Sequence, residues 1–272
     1  MTDTNTYIRQ LTEANSLRES TLRKAIQALK LSPGSRGLDA GCGIGHPALL
    51  LAEAVGTSGQ VTGLDISPEF LLQAGKIVKE ASLSEQISFQ EGDVNKLPFD
   101  DNTFDWAWSS DCVGYPTAAE PLPLLKELAR VVRPGGTVAI LAWSSQQLLP
   151  GYPLLEARLN ATCSSIIPYL KGKKPESNFL RALGWFHEAG LQESTAQTFV
   201  GSVHGPLSKD VRTALICFFQ MLWGEPQPEV SEEDWAEYQR LCLPESPDFI
   251  LNLPDYYAFF TYSMFQGKVP SL

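Results

Sequence analysis

The run Gly37-Leu38-Asp39-Ala40-Gly41-Cys42-Gly43-Ile44-Gly45-His46 starts apolar, places three glycines at alternate positions and passes into Ala48-Leu49-Leu50-Leu51-Ala52. That order predicts a buried strand, a tight loop and a helix. A loop without Cβ atoms lets the backbone approach a ligand closely and adopt positive φ. A helix starting near Gly45 aims unpaired N–H groups and a partial positive charge at that loop. The stretch is built to grip a nucleotide-like cofactor, and its surroundings decide which one.

Downstream, strand and helix signals alternate. Gln60–Asp65 reads as a second strand ending in a carboxylate, and Ser67-Pro68-Glu69 as a capped helix start. Ile87–Gln90 and Thr103–Ser109 read as the third and fourth strands, with Gly92-Asp93-Val94 after the third. Pro121–Val132 is an amphipathic helix, Arg133-Pro134-Gly135-Gly136 reads as its stop, and Thr137–Trp143 is an apolar fifth strand. Strands alternating with helices imply a parallel, doubly wound sheet with right-handed crossovers, which binds ligands beyond the carboxyl ends of its strands. Asp39, Asp65, Asp93 and Ser109 fall at or near those ends.

On either side of this block the pattern changes. Residues 1–34 form a helical lead-in, with Leu11, Leu17, Leu22, Ile26 and Leu29 at roughly helical spacing. Helices are expected over Pro153–Thr162 and Asn178–Ala189, a strand over Leu191–Val203 and a last strand over Tyr257–Lys268. Between those strands, 206–254 is helical and rich in aromatics (Phe218, Phe219, Trp223, Trp235, Tyr238), an insertion expected to pack as a cap. The domain reading is therefore a lead-in over 1–34, a sheet domain over 35–205 and 255–272, and a cap over 206–254.

With 272 residues the chain can bury a sizeable core, and 43% hydrophobic against 19% charged residues is ordinary for a water-soluble globular protein. The net charge of −10 disfavours nucleic acid and anionic membrane as partners, since either needs a basic face. Five scattered cysteines form no CxxC pair and no cluster with His46, His187 and His204, so neither a metal site nor a disulfide framework is expected. The start of the chain lacks a signal pattern and no apolar run is long enough to span a bilayer, so a cytoplasmic location is expected. Nothing in the sequence sets the oligomeric state.

Glycine-rich strand–loop–helix units serve both dinucleotides and S-adenosylmethionine. The dinucleotide fingerprint is G-x-G-x-x-G, whereas here Gly41-x-Gly43-x-Gly45 is followed by His46. The loop also carries its own acid, Asp39, which would repel a pyrophosphate and attract an ammonium or sulfonium group. Asp65 is placed to hold ribose hydroxyls, and Asp93 could reach an adenine amino group with Val94 against the ring.

Leu38–Gly45, Gly63-Leu64-Asp65-Ile66-Ser67, Glu91–Val94, Leu97-Pro98-Phe99, Thr103-Phe104-Asp105 and Leu128–Gly136 together resemble class I S-adenosylmethionine-dependent methyltransferases. The match is to the branch of small-molecule and ubiquinone/menaquinone-biosynthesis enzymes, over about residues 35–143. The resemblance implies a Rossmann-like methyltransferase fold: a seven-stranded, mostly parallel sheet with an antiparallel last strand. It implies that Asp39, Gly41, Cys42, Gly43 and Gly45 surround the methionine end, that Asp65 holds the ribose, and that Asp93 reaches adenine between Ile66 and Val94. It also brings Ser109 and Ser110 toward the methyl group, and Tyr7 of the lead-in over the methionine.

Methyl transfer is an in-line displacement at an activated carbon, so the protein must position the nucleophile, exclude water and for some substrates take a proton. Asp111, Tyr115 and His204 are the candidates for a base or substrate contact. Each also has a plain structural reading, as have His46, His187 and the Cys42 thiol, for which no base partner can be named. The expected activity is methylation of a small apolar or aromatic acceptor on oxygen or carbon, with S-adenosylmethionine as donor and S-adenosylhomocysteine as product. Two alternatives stay open at this point: a nicotinamide-dependent oxidoreductase, and a non-catalytic S-adenosylmethionine-binding protein.

Overall fold

A computed structural model describes residues 4–114, 120–161, 163, 166–224 and 230–271. Seven strands form one sheet in the order β3-β2-β1-β4-β5-β7-β6: β1 Arg36–Ala40, β2 Gln60–Asp65, β3 Ile87–Glu91, β4 Phe104–Ser110, β5 Val132–Gln147, β6 Gln192–His204 and β7 Tyr257–Lys268. The pairs β1–β2, β2–β3, β1–β4 and β4–β5 are parallel. β7 runs against its neighbours. Thr137 and Trp143 of β5 meet Lys268 and Tyr262 of β7, and Ser194 and Thr198 of β6 meet Gly267 and Ser263.

The helices begin where local chemistry places them. α2 (His46–Val55) starts at Gly45 in the left-handed conformation with Pro47 in its first turn, and α3 (Pro68–Glu80) is capped by Ser67 Oγ accepting from Phe70 N. α4 (Pro121–Val131) carries the strongly amphipathic pattern that buries Leu124, Leu125, Leu128 and Val131. The central strands are buried on both faces, as a doubly covered parallel sheet requires.

The chain divides into two compact units. One comprises residues 21–143, 176–199 and 262–272, and its core joins Leu38, Leu64, Phe104, Ile140 and Phe186. The other comprises residues 1–20, 144–175 and 200–261. It contains α5 (Pro153–Asn160), α6 (Ile167–Leu170), α8 (Lys209–Trp223), α9 (Glu232–Cys242) and the first part of α1 (Thr4–Ala28); α7 (Ala182–Glu188) belongs to the sheet-bearing unit.

In the helical unit the aromatics of 206–254 pack on one another. Phe219 stacks on Trp223 at 5.9 Å, Trp223 meets Tyr238 edge-on, and Trp235 stacks on Tyr238 at 4.8 Å. They form a core, because rings of this size gain most by mutual burial. The fully buried Glu156 holds the turn after β5, its carboxylate accepting from Leu148 N and Leu149 N at 2.8–3.0 Å.

Two boundaries differ from the expectation. β5 reaches back through Arg133-Pro134-Gly135-Gly136, read from sequence as a helix stop, because Gly135 N donates to Val269 O and Val269 N to Gly136 O. That pairing comes from the far end of the chain, beyond the reach of a local pattern. The helix expected over 178–189 opens as a 3-10 turn, Phe179–Arg181, capped by Asn178 Oδ1 accepting from Leu180 N. Among the described residues, 206–254 is helical as expected, with α8, α9 and a 3-10 turn at Ile250–Asn252.

Candidate functional site

All the loop and strand-end residues singled out above belong to the sheet-bearing unit. β1 is the switch point of the sheet, because the chain leaves it toward β2 on one side and β4 lies on the other. The glycine loop hangs from the end of β2. Gly41 N and Cys42 N both donate to Leu64 O, at 2.8 and 3.0 Å. Gly41, Gly43 and Gly45 all have positive φ (+74°, +53° and +85°), a conformation that costs an L side chain about 1–2 kcal/mol. Among the described residues, a Cβ on Gly43 would meet nothing within 4 Å.

Asp65, at the end of β2, ties the loop to the next helix. Its Oδ2 accepts from Gly43 N at 2.8 Å and its Oδ1 from Ser67 N at 3.0 Å. Ile66, the next residue, is 68% exposed, which is unusual for a large aliphatic side chain at the edge of a crevice. After β3, Asp93 is exposed with Oδ1 engaged by Asn95 N and Nδ2, and Val94 is half-buried.

Asp39 is fully buried, and neither carboxylate oxygen has a hydrogen-bond partner among the described residues. Burial, and then the nearby Asp65 charge, push its carboxyl up to about 8. An uncompensated buried acid is costly unless it stays protonated or meets a cation. Next to it in register on β4 is Trp108, also fully buried, with an indole N–H that has no partner among the described residues. Ser109, at the end of β4, carries a buried hydroxyl close to the Cys112 thiol, and Ser110 is nearly as deep.

The candidates for a base part company. Asp111 has both carboxylate oxygens engaged: Oδ1 accepts from Trp143 N at 2.9 Å and Oδ2 from Tyr262 Oη at 3.3 Å. Its geometry is that of an anchor. Tyr115 lies outside the described residues. His204 and Tyr7 belong to the helical unit, the former exposed with Nδ1 2.9 Å from Gly205 O. The Cys42 thiol is 3% exposed and pushed well above its ordinary range, first by burial and then by Asp39 and Asp65, which makes it a poor nucleophile.

Sequence reasoning did not single out two residues packed against this loop and strand end. Trp108 gave no signal beyond its place in an apolar strand. Cys112, after β4, sits with its Sγ where a side chain on Gly41 would lie.

A glycine loop at the switch point of a doubly wound sheet, with acids at the ends of β1 and β2, defines the class I cofactor-binding architecture. The comparisons agree. Residues 38–136 match the family described as "Methyltransferase domain". The chain is 34% identical over 198 residues to the demethylmenaquinone methyltransferase of Staphylococcus epidermidis, covering 66% of this chain and 78% of that protein. It is 36% identical over 179 residues to the enzyme of the same name from Bacillus cereus, covering 66% and 69%. In fold it is similar to an S-adenosylmethionine-dependent methyltransferase from Aquifex aeolicus, with a TM-score of 0.51 at 24% identity over 69% of this chain and 88% of that one.

The chain belongs to the class I S-adenosylmethionine-dependent methyltransferases, in the menaquinone-like branch. It is a methyltransferase that takes S-adenosylmethionine as its methyl donor and a small molecule as acceptor, which sets aside the oxidoreductase and non-catalytic alternatives. Among the described residues no helix is long and apolar enough to cross a membrane.

Proposed function

We propose that this enzyme methylates a quinone-type acceptor, a small apolar aromatic ring carrying hydroxyl or carbonyl oxygens, on carbon or oxygen. The support for the acceptor class is the name shared by relatives that are 34–36% identical over two thirds of the chain. A cytoplasmic place of action belongs to the same proposal.

The observation that supports the donor site is the buried carboxylate of Asp39, without a hydrogen-bond partner among the described residues, together with the room left at Gly43 in the loop that follows it. S-adenosylmethionine supplies an electrophilic methyl group on a sulfonium, with an ammonium at the end of its amino-acid chain. In this reading Asp39 and the loop Gly41, Cys42, Gly43, Gly45 hold the cationic amino-acid end. Asp65 accepts from the ribose hydroxyls, Ile66 and Val94 flank the adenine, and Asp93 reaches its amino group. Ser109 and Ser110 face the transferring methyl. The chain's work is to orient the donor and keep water from it, since the displacement needs no covalent step on the protein.

No base is assigned. Asp111 is spoken for by β5 and β7, and a reduced quinone is electron-rich enough to attack the methyl carbon before its proton leaves. The test is a transfer assay with isotopically labelled donor against reduced demethylmenaquinone, a simple phenol and a primary amine, read by mass spectrometry of the products. Label in the quinone product, and little in the other two, is expected. Label only in the amine would overturn the proposed acceptor class.

A further inference from the structure

We propose that Cys112 is a positioning residue for the methyl donor: its thiol, carried on a loop locked in place by Asp111, holds the Gly41 backbone where the amino-acid end of the donor needs it. This rests on the reading of the glycine loop given above. It adds a residue from a different part of the chain to that site.

The contact is direct. A Cβ built on Gly41 would stand 2.6 Å from Cys112 Sγ and 2.9 Å from its Cβ, so the thiol fills the room a side chain at position 41 would take. From the other side Gly41 N and Cys42 N are held by Leu64 O. The loop is therefore gripped between a carbonyl at the end of β2 and a sulfur beyond the end of β4. Burial pushes the Cys112 thiol up to about 11, so near neutrality it is an uncharged filler and not a nucleophile.

The thiol cannot back away, because the residues on both sides of it are fixed. Asp111, at φ +50°, donates its N–H to Leu141 O at 2.8 Å while its carboxylate accepts from Trp143 N and Tyr262 Oη. Val113 is 2% exposed in the core. Gly114, at φ +77°, lies so close to Trp185 and Phe179 that a Cβ there would be within 2.8–3.0 Å of their rings. A left-handed residue on each side of Cys112 and two anchored strands make the loop a stiff wedge. Asp111, a candidate base with a plain structural reading beside it, has the geometry of that wedge's fastening.

The fastening predicts a bias between ligands. S-adenosylhomocysteine has the amino-acid end that lies against the glycine loop, whereas 5′-methylthioadenosine has the same adenosine without it. The experiment measures affinity for both by calorimetry in wild type, Cys112→Ala, Cys112→Ser and Tyr262→Phe. In Cys112→Ala, S-adenosylhomocysteine should weaken about tenfold and 5′-methylthioadenosine less than about twofold, since a small misplacement of a binding loop is felt only by groups touching it. Serine, close in size, should restore most of the loss. Tyr262→Phe removes one bond to Asp111 from the far side, and should show the same bias at smaller size even if Cys112→Ala fails to fold. Equal weakening of both ligands, or no change in S-adenosylhomocysteine, overturns the proposal. If wild type binds neither ligand, the reading of the glycine loop falls and takes the proposal with it, a result distinct from binding without bias.

Discussion

Asp65 and Gly43, 22 residues apart in the chain, are joined by a 2.8 Å hydrogen bond from the glycine N–H to the carboxylate. The other carboxylate oxygen accepts from Ser67 N at the start of α3. One acid thus sets the shape of the glycine loop and the start of the next helix while standing 9% exposed at the crevice edge.

If Asp65 holds the ribose as proposed, Asp65→Ala should weaken S-adenosylhomocysteine binding about 30-fold or more, since it removes those charge-assisted bonds and leaves the Gly43 N–H without its acceptor. Asp65→Asn keeps an acceptor for Gly43 and should fall between wild type and alanine. Calorimetric titration measures both. Wild-type affinity in the alanine variant would remove Asp65 from the site.

The buried Asp39 gives the protein a pH signature. Its carboxyl is about 8 in the folded protein and returns to about 4 when unfolded, so between those values the folded state holds a proton the unfolded chain has released. Stability from this group is therefore fully present below about pH 4 and lost as pH rises toward about 8. Asp39→Asn, neutral at every pH, removes the dependence. Thermal unfolding of wild type should drop by about 8 °C relative to that variant between pH 5 and pH 9. Parallel profiles would show that Asp39 does not titrate in this window.

Two glycines separate binding from folding. Gly43→Ala places its Cβ in open space and costs only the strain of a positive φ, about 1 kcal/mol. It should unfold within a few degrees of wild type, yet lose S-adenosylhomocysteine binding. Gly37→Ala drives its Cβ into the Trp106 ring and should lower the melting temperature markedly. A Gly43→Ala protein that binds like wild type would show that the space beside the loop is not where the ligand lies.

Glu156 is a matching test in the helical unit. Its carboxylate serves the N–H groups of Leu148 and Leu149, both buried. Glu156→Ala strands these donors and opens a cavity, at a cost of roughly 2–4 kcal/mol. Urea unfolding should show that loss; a change below about 0.5 kcal/mol would mean water replaces the carboxylate without penalty.

Much of the strand pattern was legible in the sequence. β2 and β7 lie at the residues expected, because alternation and flanking turn residues are local signals. The run 133–136 was not, since its helix-stopping chemistry is overridden by pairing with Val269. In the site, the glycine loop and Asp65 could be read because strand, loop and helix follow one another without a break. Asp111 could not be resolved between base and anchor, because the decision lies with Trp143 and with Tyr262, 151 residues away.

By itself the sequence determined where backbone must turn tightly and which acids stand at strand ends, because those depend on a few adjacent residues and their φ preferences. Only the tertiary structure decided what each polar group meets: that the Asp39 carboxylate has no hydrogen-bond partner among the described residues, that Asp111 is taken, and that a cysteine from beyond β4 fills the hollow at Gly41. Burial and partnering are sums over the whole packed chain, so no window of neighbouring residues contains them.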